Sequence, residues 1–301
     1  MPIFILMLVG YVVKSIGLAD KKAFDAMNKL VFKLFLPVLL FYNIYKTENV
    51  GVFSPRLVAF AVGGIFLTFL VGYAAVFFIT KDNAKRGVML QGFFRANYAI
   101  LGIPLVNYIC GDASSGMVSL LVAFVVPVYN ILSVYALERF GNGKFSPGKL
   151  FVSVLKNPLI IACALGIAVT LLDIRLPGVI EKSVSDISKV ATPLAIIVLG
   201  ASFTFSSMKG YVRDVLIVVG ARLVIAPLVL LTVAVLCGFR GEALACLLIA
   251  FGAPVAVSSF AMAQQMGGDE KLAAQVVVVS SAACLVTLFM WIFSLSSLGL
   301  L

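Results

Sequence analysis

The chain is predicted to be an all-α polytopic membrane protein. Its ten transmembrane helices are expected to form a 5+5 inverted repeat in which helices 4 and 9 are broken and cross. Three observations predict this. Apolar side chains make up 62% of the 301 residues and charged ones 12%, against roughly 45–50% and 25% in soluble domains. Apolar runs long enough to cross a bilayer recur about ten times. Landmarks of the first half return in the second half at a nearly constant offset.

The runs occupy residues 2–18, 24–45, 56–80, 86–109, 115–137, 150–172, 180–206, 211–236, 242–265 and 272–298. Polar clusters separate them, such as Lys81-Asp82-Asn83-Ala84-Lys85-Arg86 and the stretch from Glu138 to Lys149. No connector is long enough for a soluble domain. The first run precedes its first cation, Lys14, whereas a cleavable leader has the opposite order.

Cations set the orientation, because cytoplasmic loops are enriched in Lys and Arg. Odd-numbered connections carry 14 of the 23: Lys14, Lys21, Lys22, Lys29, Lys81, Lys85, Arg86, Arg139, Lys144, Lys149, Lys156, Lys209, Arg213 and Lys271. Even-numbered ones carry 6: Lys46, Arg56, Arg175, Lys182, Lys189 and Arg240. Odd connections are therefore expected in the cytoplasm and both termini outside it, in a bacterial-type inner membrane. The net charge of +10 then reflects topology. A nucleic-acid partner is not expected, since no basic face is interleaved with aromatics in a soluble module.

The repeat rests on three pairs. Pro37 is matched by Pro193, Arg86-Gly87 by Arg240-Gly241, and Gly111-Asp112 by Gly268-Asp269. Five spans per copy is an odd number, so the second copy enters the membrane from the opposite side. The units are expected at 1–141 and 150–301, with a cytoplasmic connector at 142–149. Inverted repeats of this kind are common in secondary transporters, which bind substrate near the midplane at discontinuous helices.

Two stretches should break. Gly102 and Pro104 weaken the fourth span, and Gly252-Ala253-Pro254 followed by Ser258-Ser259 weakens the ninth. Three cations, Lys33, Arg95 and Arg222, lie well inside spans, and no Asp or Glu lies comparably deep. Uncompensated positive charge favours an anionic ligand, and half-helix N-termini would add to it. Lys33 has a competing reading as a snorkelling residue. Arg222 has one as a partner of carbonyls or of a span-end carboxylate. Arg95, two residues from Asn97, is the strongest functional candidate. Asn43, Asn97, Tyr129, Asn130, Thr192, Ser258, Ser259 and Gln264 supply neutral polar groups able to hold a carboxylate or to join packed spans.

The absence of His excludes histidine relays, Ser-His-Asp triads and common zinc sites. The five cysteines, Cys110, Cys163, Cys237, Cys246 and Cys284, share no metal-ligand spacing and read as buried thiols. Enzymatic chemistry is not expected. Neither is a cofactor, although Na⁺ or H⁺ coupling stays open.

Gly10-Tyr11, Leu36-Pro37, Asn97 with Gly102-Ile103-Pro104-Leu105, Gly111-Asp112, Asn157-Pro158 and Gly252-Ala253-Pro254 resemble the auxin efflux carrier family, including its bacterial members. The resemblance spans nearly the whole chain. It implies spans four and nine crossing at their breaks, and elevator-type movement of a transport unit against a scaffold, often within a homodimer. It also implies crossover roles for Asn97 and Pro104 and a site position for Tyr129. Ser259 stands where plant members carry a second crossover proline, and their long cytoplasmic loop is absent. A carrier of a small organic anion is therefore expected. A sodium-coupled organic-anion symporter of the bile-acid type and a non-transporting membrane sensor are the alternatives.

Overall fold

The computed structural model describes residues 2–47, 54–110, 115–141, 147–203, 208 and 210–301, and within these every regular element is a helix. The Gly111-Asp112 motif and residues 142–146 of the expected connector lie outside the described residues.

Polar residues start several of the helices. Asp20 accepts from the Ala23 N–H and opens α2 (Lys21–Leu30), which follows α1 (Pro2–Ser15). Ser54 caps α4 (Pro55–Ile79) and Asp82 caps α5 (Asn83–Phe94). Each side-chain oxygen satisfies an N–H that the first turn leaves unpaired. Between α2 and α3 (Leu36–Tyr45) the helix widens into one π turn, Val31–Phe35. Pro37 accounts for the widening, because it lacks an N–H and its ring crowds the carbonyl one turn earlier.

The chain continues through α6 (Tyr98–Cys110), α7 (Ser115–Phe140), α8 (Pro147–Lys156), α9 (Pro158–Leu171) and α10 (Gly178–Ser202). Next come α11 (Val212–Gly220), a π turn at Ala221–Ile225 and α12 (Ala226–Leu236), followed by α13 (Gly241–Gly252), α14 (Ser258–Gln265) and α15 (Glu270–Ser297). Pro227 repeats the effect of Pro37. The carbonyl one turn before it, on Leu223, accepts a hydrogen bond from Trp291 Nε1–H at 3.0 Å.

Five of the described helical stretches are long and apolar enough to cross a membrane: Pro55–Ile79, Met117–Phe140, Gly178–Ser202, Val212–Leu236 and Glu270–Ser297. The run at 150–172 is not one straight span. It breaks at Asn157, whose side chain caps α9 at Leu159 N, and the two parts meet at 57°. The first three residues of α8 fall inside the expected connector, 142–149.

Element lengths recur along the chain. The 14 residues of α1 match the 14 of α9, the 25 of Pro55–Ile79 match the 25 of Val212–Leu236, and the 12 of α5 match the 12 of α13. The partners start 156, 157 and 158 residues apart.

The helices pack in two groups. In the first, α1 lies on α10, and α3 lies on α9 and α10. Gly10 and Gly200 make the α1–α10 contact backbone to backbone. A Cβ on Gly10 would sit 1.9 Å from Ile197 O, and one on Gly200 2.1 Å from Met7 O, so any larger residue would force the helices apart. In the second group, α4, α5, α7, α11–α13 and α15 surround a core of Phe69, Phe94, Met89, Leu248 and Val276.

Polar contacts tie the ends of these helices together. Lys85 pairs with Asp214 at 2.9 Å and lies over the Tyr211 ring. Burial, followed by the charges of Asp269, Asp82 and Asp214, pushes the Tyr211 phenol up to about 12. Between the groups, Asn28 Nδ2 donates to Gln264 Oε1, and Gln264 Nε2 donates to Asp25 Oδ1 and Glu270 Oε2, both at 3.0 Å.

Candidate functional site

Both expected interruptions exist, but one lies elsewhere than Pro104. The helix runs unbroken through Gly102 and Pro104 from Tyr98 to Cys110. The break is at Arg95-Ala96-Asn97, between α5 and α6, where the sequence has neither Gly nor Pro. The second break, Ala253 to Val257 between α13 and α14, contains Pro254 as the sequence suggests. An antiparallel bridge joins the two, pairing Ala96 with Val255, and Asn97 N–H donates to Pro254 O at 2.8 Å. Ser280 Oγ accepts from Val255 N–H at 3.2 Å. Backbone groups that lose their helical partners are thus satisfied by the other break and by a neighbouring hydroxyl, as a non-aqueous surrounding requires.

Two buried arginines sit on either side of this pairing. Arg222, fully buried in the second π turn, faces helix C-termini. Its Nη1 donates to Phe94 O at 3.2 Å, at the end of α5, and its Nε and Nη2 donate to Ala253 O at 3.0 Å and Ala250 O at 2.7 Å, at the end of α13. A cation placed on two sets of C-terminal carbonyls complements both helix dipoles.

Arg95, 4% exposed, has different surroundings. Its Nη2 donates to Asn130 Oδ1 and Ser258 Oγ, both at 2.9 Å, and its Nη1 donates to Ser133 Oγ at 2.9 Å and Tyr129 O at 3.4 Å. All four acceptors are neutral. Its buried Nε has no partner, and among the described residues no carboxylate pairs with it. The N-terminal ends of α6 and α14 start just beyond the breaks, beside Arg95.

A cavity of about 40 Å³ opens between Arg95 and the first helix group. Leu36, Leu39 and Leu40 of α3 and Thr192 and Ala195 of α10 form one wall. Arg95, Ala96, Asn97, Val126, Tyr129, Ala256, Val257 and Ser258 form the other. The side-chain amide of Asn97 has no hydrogen-bond partner among the described residues. The Tyr129 hydroxyl donates to Ala250 O at 2.9 Å, so it shares an acceptor with Arg222.

The sequence candidates divide accordingly. Arg95, Asn97, Tyr129, Thr192 and Ser258 line the cavity. Asn130 stands behind Arg95, and Pro254 contributes its carbonyl to the bridge. Ser259 is buried with its hydroxyl unpartnered, one residue beyond the lining. Gly102 packs against α7, where a Cβ would lie 3.2 Å from Val118 Cγ1, and Pro104 is exposed. Asn43 lies on α3 away from the cavity, with its carbonyl accepting from Thr47 Oγ1. Lys33 is exposed and joins neither arginine. Ser133, fully buried, escapes a reading of the sequence. Its one signal is helical spacing, one turn after Tyr129 and Asn130 on the same face of α7.

Comparisons with known proteins point to transporters. The family described as membrane transport protein matches residues 1–292. The uncharacterized transporter YfdV of Escherichia coli (strain K12) is 24% identical over 308 residues, covering 97% of this chain and 95% of the relative. A protein named putative malonate transporter, from Rhizobium meliloti (strain 1021), is 22% identical over 297 residues, covering 95% and 92%. Auxin efflux carrier component 5 of Arabidopsis thaliana is 23% identical over 315 residues, covering 88% and 87%. With its paired helix breaks and apolar spans, the chain belongs to the membrane transport protein family, that of the auxin efflux carriers.

Proposed function

We propose that this membrane transporter is a carrier of a small organic anion, a mono- or dicarboxylate, held near the membrane midplane where broken spans four and nine cross. One observation carries the reading: Arg95 is buried in a cavity wall with neutral acceptors only. A buried charge without a counter-ion is costly, and an arriving carboxylate would supply the missing partner. The adjacent N-termini of α6 and α14 add positive potential. A relative named for malonate, a dicarboxylate, supports the same substrate class.

The recurring element lengths support two five-span units, residues 1–141 and 150–301, in inverted orientation. The Ala96–Val255 pairing supports the crossing. Both helix groups contribute walls to the cavity, and their separation would widen it for a carboxylate. Because the cavity lies between them, elevator-type motion of the second group against the first accounts for alternating access. We place the carrier in the inner membrane as a homodimer with both termini outside the cytoplasm, and without a cofactor. The carbonyls Phe94 O, Ala250 O and Ala253 O, which could otherwise attract Na⁺, are held by Arg222, and this argues against sodium coupling at the crossing.

Counterflow in proteoliposomes tests the proposal. Vesicles preloaded with malonate should accumulate labelled malonate, and omission of Na⁺ should leave the rate unchanged. Exchange of neutral or cationic solutes with no exchange of any carboxylate would contradict the assignment. Strict dependence on Na⁺ would favour the bile-acid type of symporter.

A further inference from the structure

Away from the crossing, an apolar crevice of about 540 Å³ separates α4 from the α11–α12 span. Leu67, Val71 and Ala75 line one side, and Leu216, Gly220 and Val229 the other. The crevice owes its depth to small residues: a Cβ on Gly220 would meet nothing within 4 Å. Along α4 it runs from Leu67 to Ile79, about 18 Å at 1.5 Å per residue. One leaflet of a hydrocarbon core about 30 Å thick is comparable in depth. Cations mark one end only. Lys81 lies two residues beyond Ile79, and Arg213 three residues before Leu216. Both are exposed, and neither has an ion pair or side-chain hydrogen bond among the described residues. The Lys85–Asp214 pair joins the first turn of α5 to that of α11.

We infer that this crevice is a binding site for one anionic phospholipid. An acyl chain fills the apolar slot, and the phosphate of its headgroup meets Lys81 and Arg213. Depth, apolarity and one-ended positive charge together match a lipid of a single leaflet. They match a second copy of the chain less well, since that would leave both cations uncompensated.

Native mass spectrometry of the delipidated full-length protein tests this with dioleoylphosphatidylglycerol and dioleoylphosphatidylcholine. Wild type should retain one phosphatidylglycerol at least tenfold more tightly than phosphatidylcholine. The double variant Lys81→Gln/Arg213→Gln should lose that preference while still accepting either lipid weakly. Gly220→Phe and, independently, Ala75→Phe should fill the slot and remove the tight lipid without changing the oligomeric state. Absence of a headgroup preference in wild type would overturn the assignment whatever the variants do. So would retention of the tight lipid by folded Gly220→Phe, or its displacement by inorganic phosphate alone. Conversion of a dimer to a monomer by the crevice-filling variants would assign the slot to a second copy of the chain instead.

Discussion

Arg222 and Arg95 are both buried beside the paired helix breaks, yet their surroundings are opposite. Arg222 meets three carbonyls at the C-terminal ends of two half-helices, where partial negative charge accumulates. Arg95 lies beside two half-helix N-termini, where the potential is already positive, and its partners are amide, hydroxyl and carbonyl oxygens. Under the proposed function, the difference separates a structural arginine from one that meets substrate. The first arginine completes the fold at the paired breaks. In the proposed mechanism the second keeps unsatisfied attraction for an anion at the edge of a cavity.

The sharpest way to break the contrast is Arg222→Ala. It leaves Phe94 O and Ala253 O without their partner, and each buried unsatisfied carbonyl costs about 1–3 kcal/mol. The variant should therefore lose most of its folded yield in membranes, measured by size-exclusion profile and melting temperature. Normal folding would show that the clasp is dispensable. Arg222→Lys should recover little, because an ammonium cannot reproduce the fork of donors.

Arg95→Gln should have the opposite profile. Stability should change modestly, since the lost hydrogen bonds are offset by removal of a buried charge, while malonate affinity should fall on the order of 30-fold, the factor for about 2 kcal/mol. Titration of the purified variant measures both. A variant that unfolds like Arg222→Ala would place Arg95 among the structural residues.

A smaller effect is expected for Tyr129→Phe. Ala250 O keeps its bond to Arg222, so the loss is one hydrogen bond, about 1 kcal/mol, seen as a small fall in melting temperature with transport retained. Pro104→Ala should be the mildest. The residue is exposed in an uninterrupted helix, so transport should persist and the melting temperature should hold or rise. Loss of transport there would restore Pro104 to the site.

How much of this was readable from the chain follows from where the causes lie. The apolar runs and the break around Pro254 are local properties, and they show in the sequence. The break at Arg95-Ala96-Asn97 has no local cause. It exists because Asn97 N–H finds Pro254 O and Arg222 takes Phe94 O, partners more than a hundred residues away. Pro104 misleads for the converse reason: on an exposed face its missing N–H does not end the helix. Pro37 and Pro227 act by widening a turn. The sequence offers the carbonyl reading of Arg222, but choosing it over a site role takes the positions of two helix ends. Ser133 gives only the weak signal of its helical spacing from Tyr129 and Asn130, because a serine in an apolar span otherwise looks like any other small residue.

The most direct test compares malonate with malonamide, its neutral diamide of similar size, for binding to wild type and Arg95→Gln. If Arg95 supplies the attraction for negative cargo, wild type should favour malonate by on the order of 30-fold, and the variant should bind the two about equally. An unchanged preference for malonate in a folded Arg95→Gln protein would contradict the account.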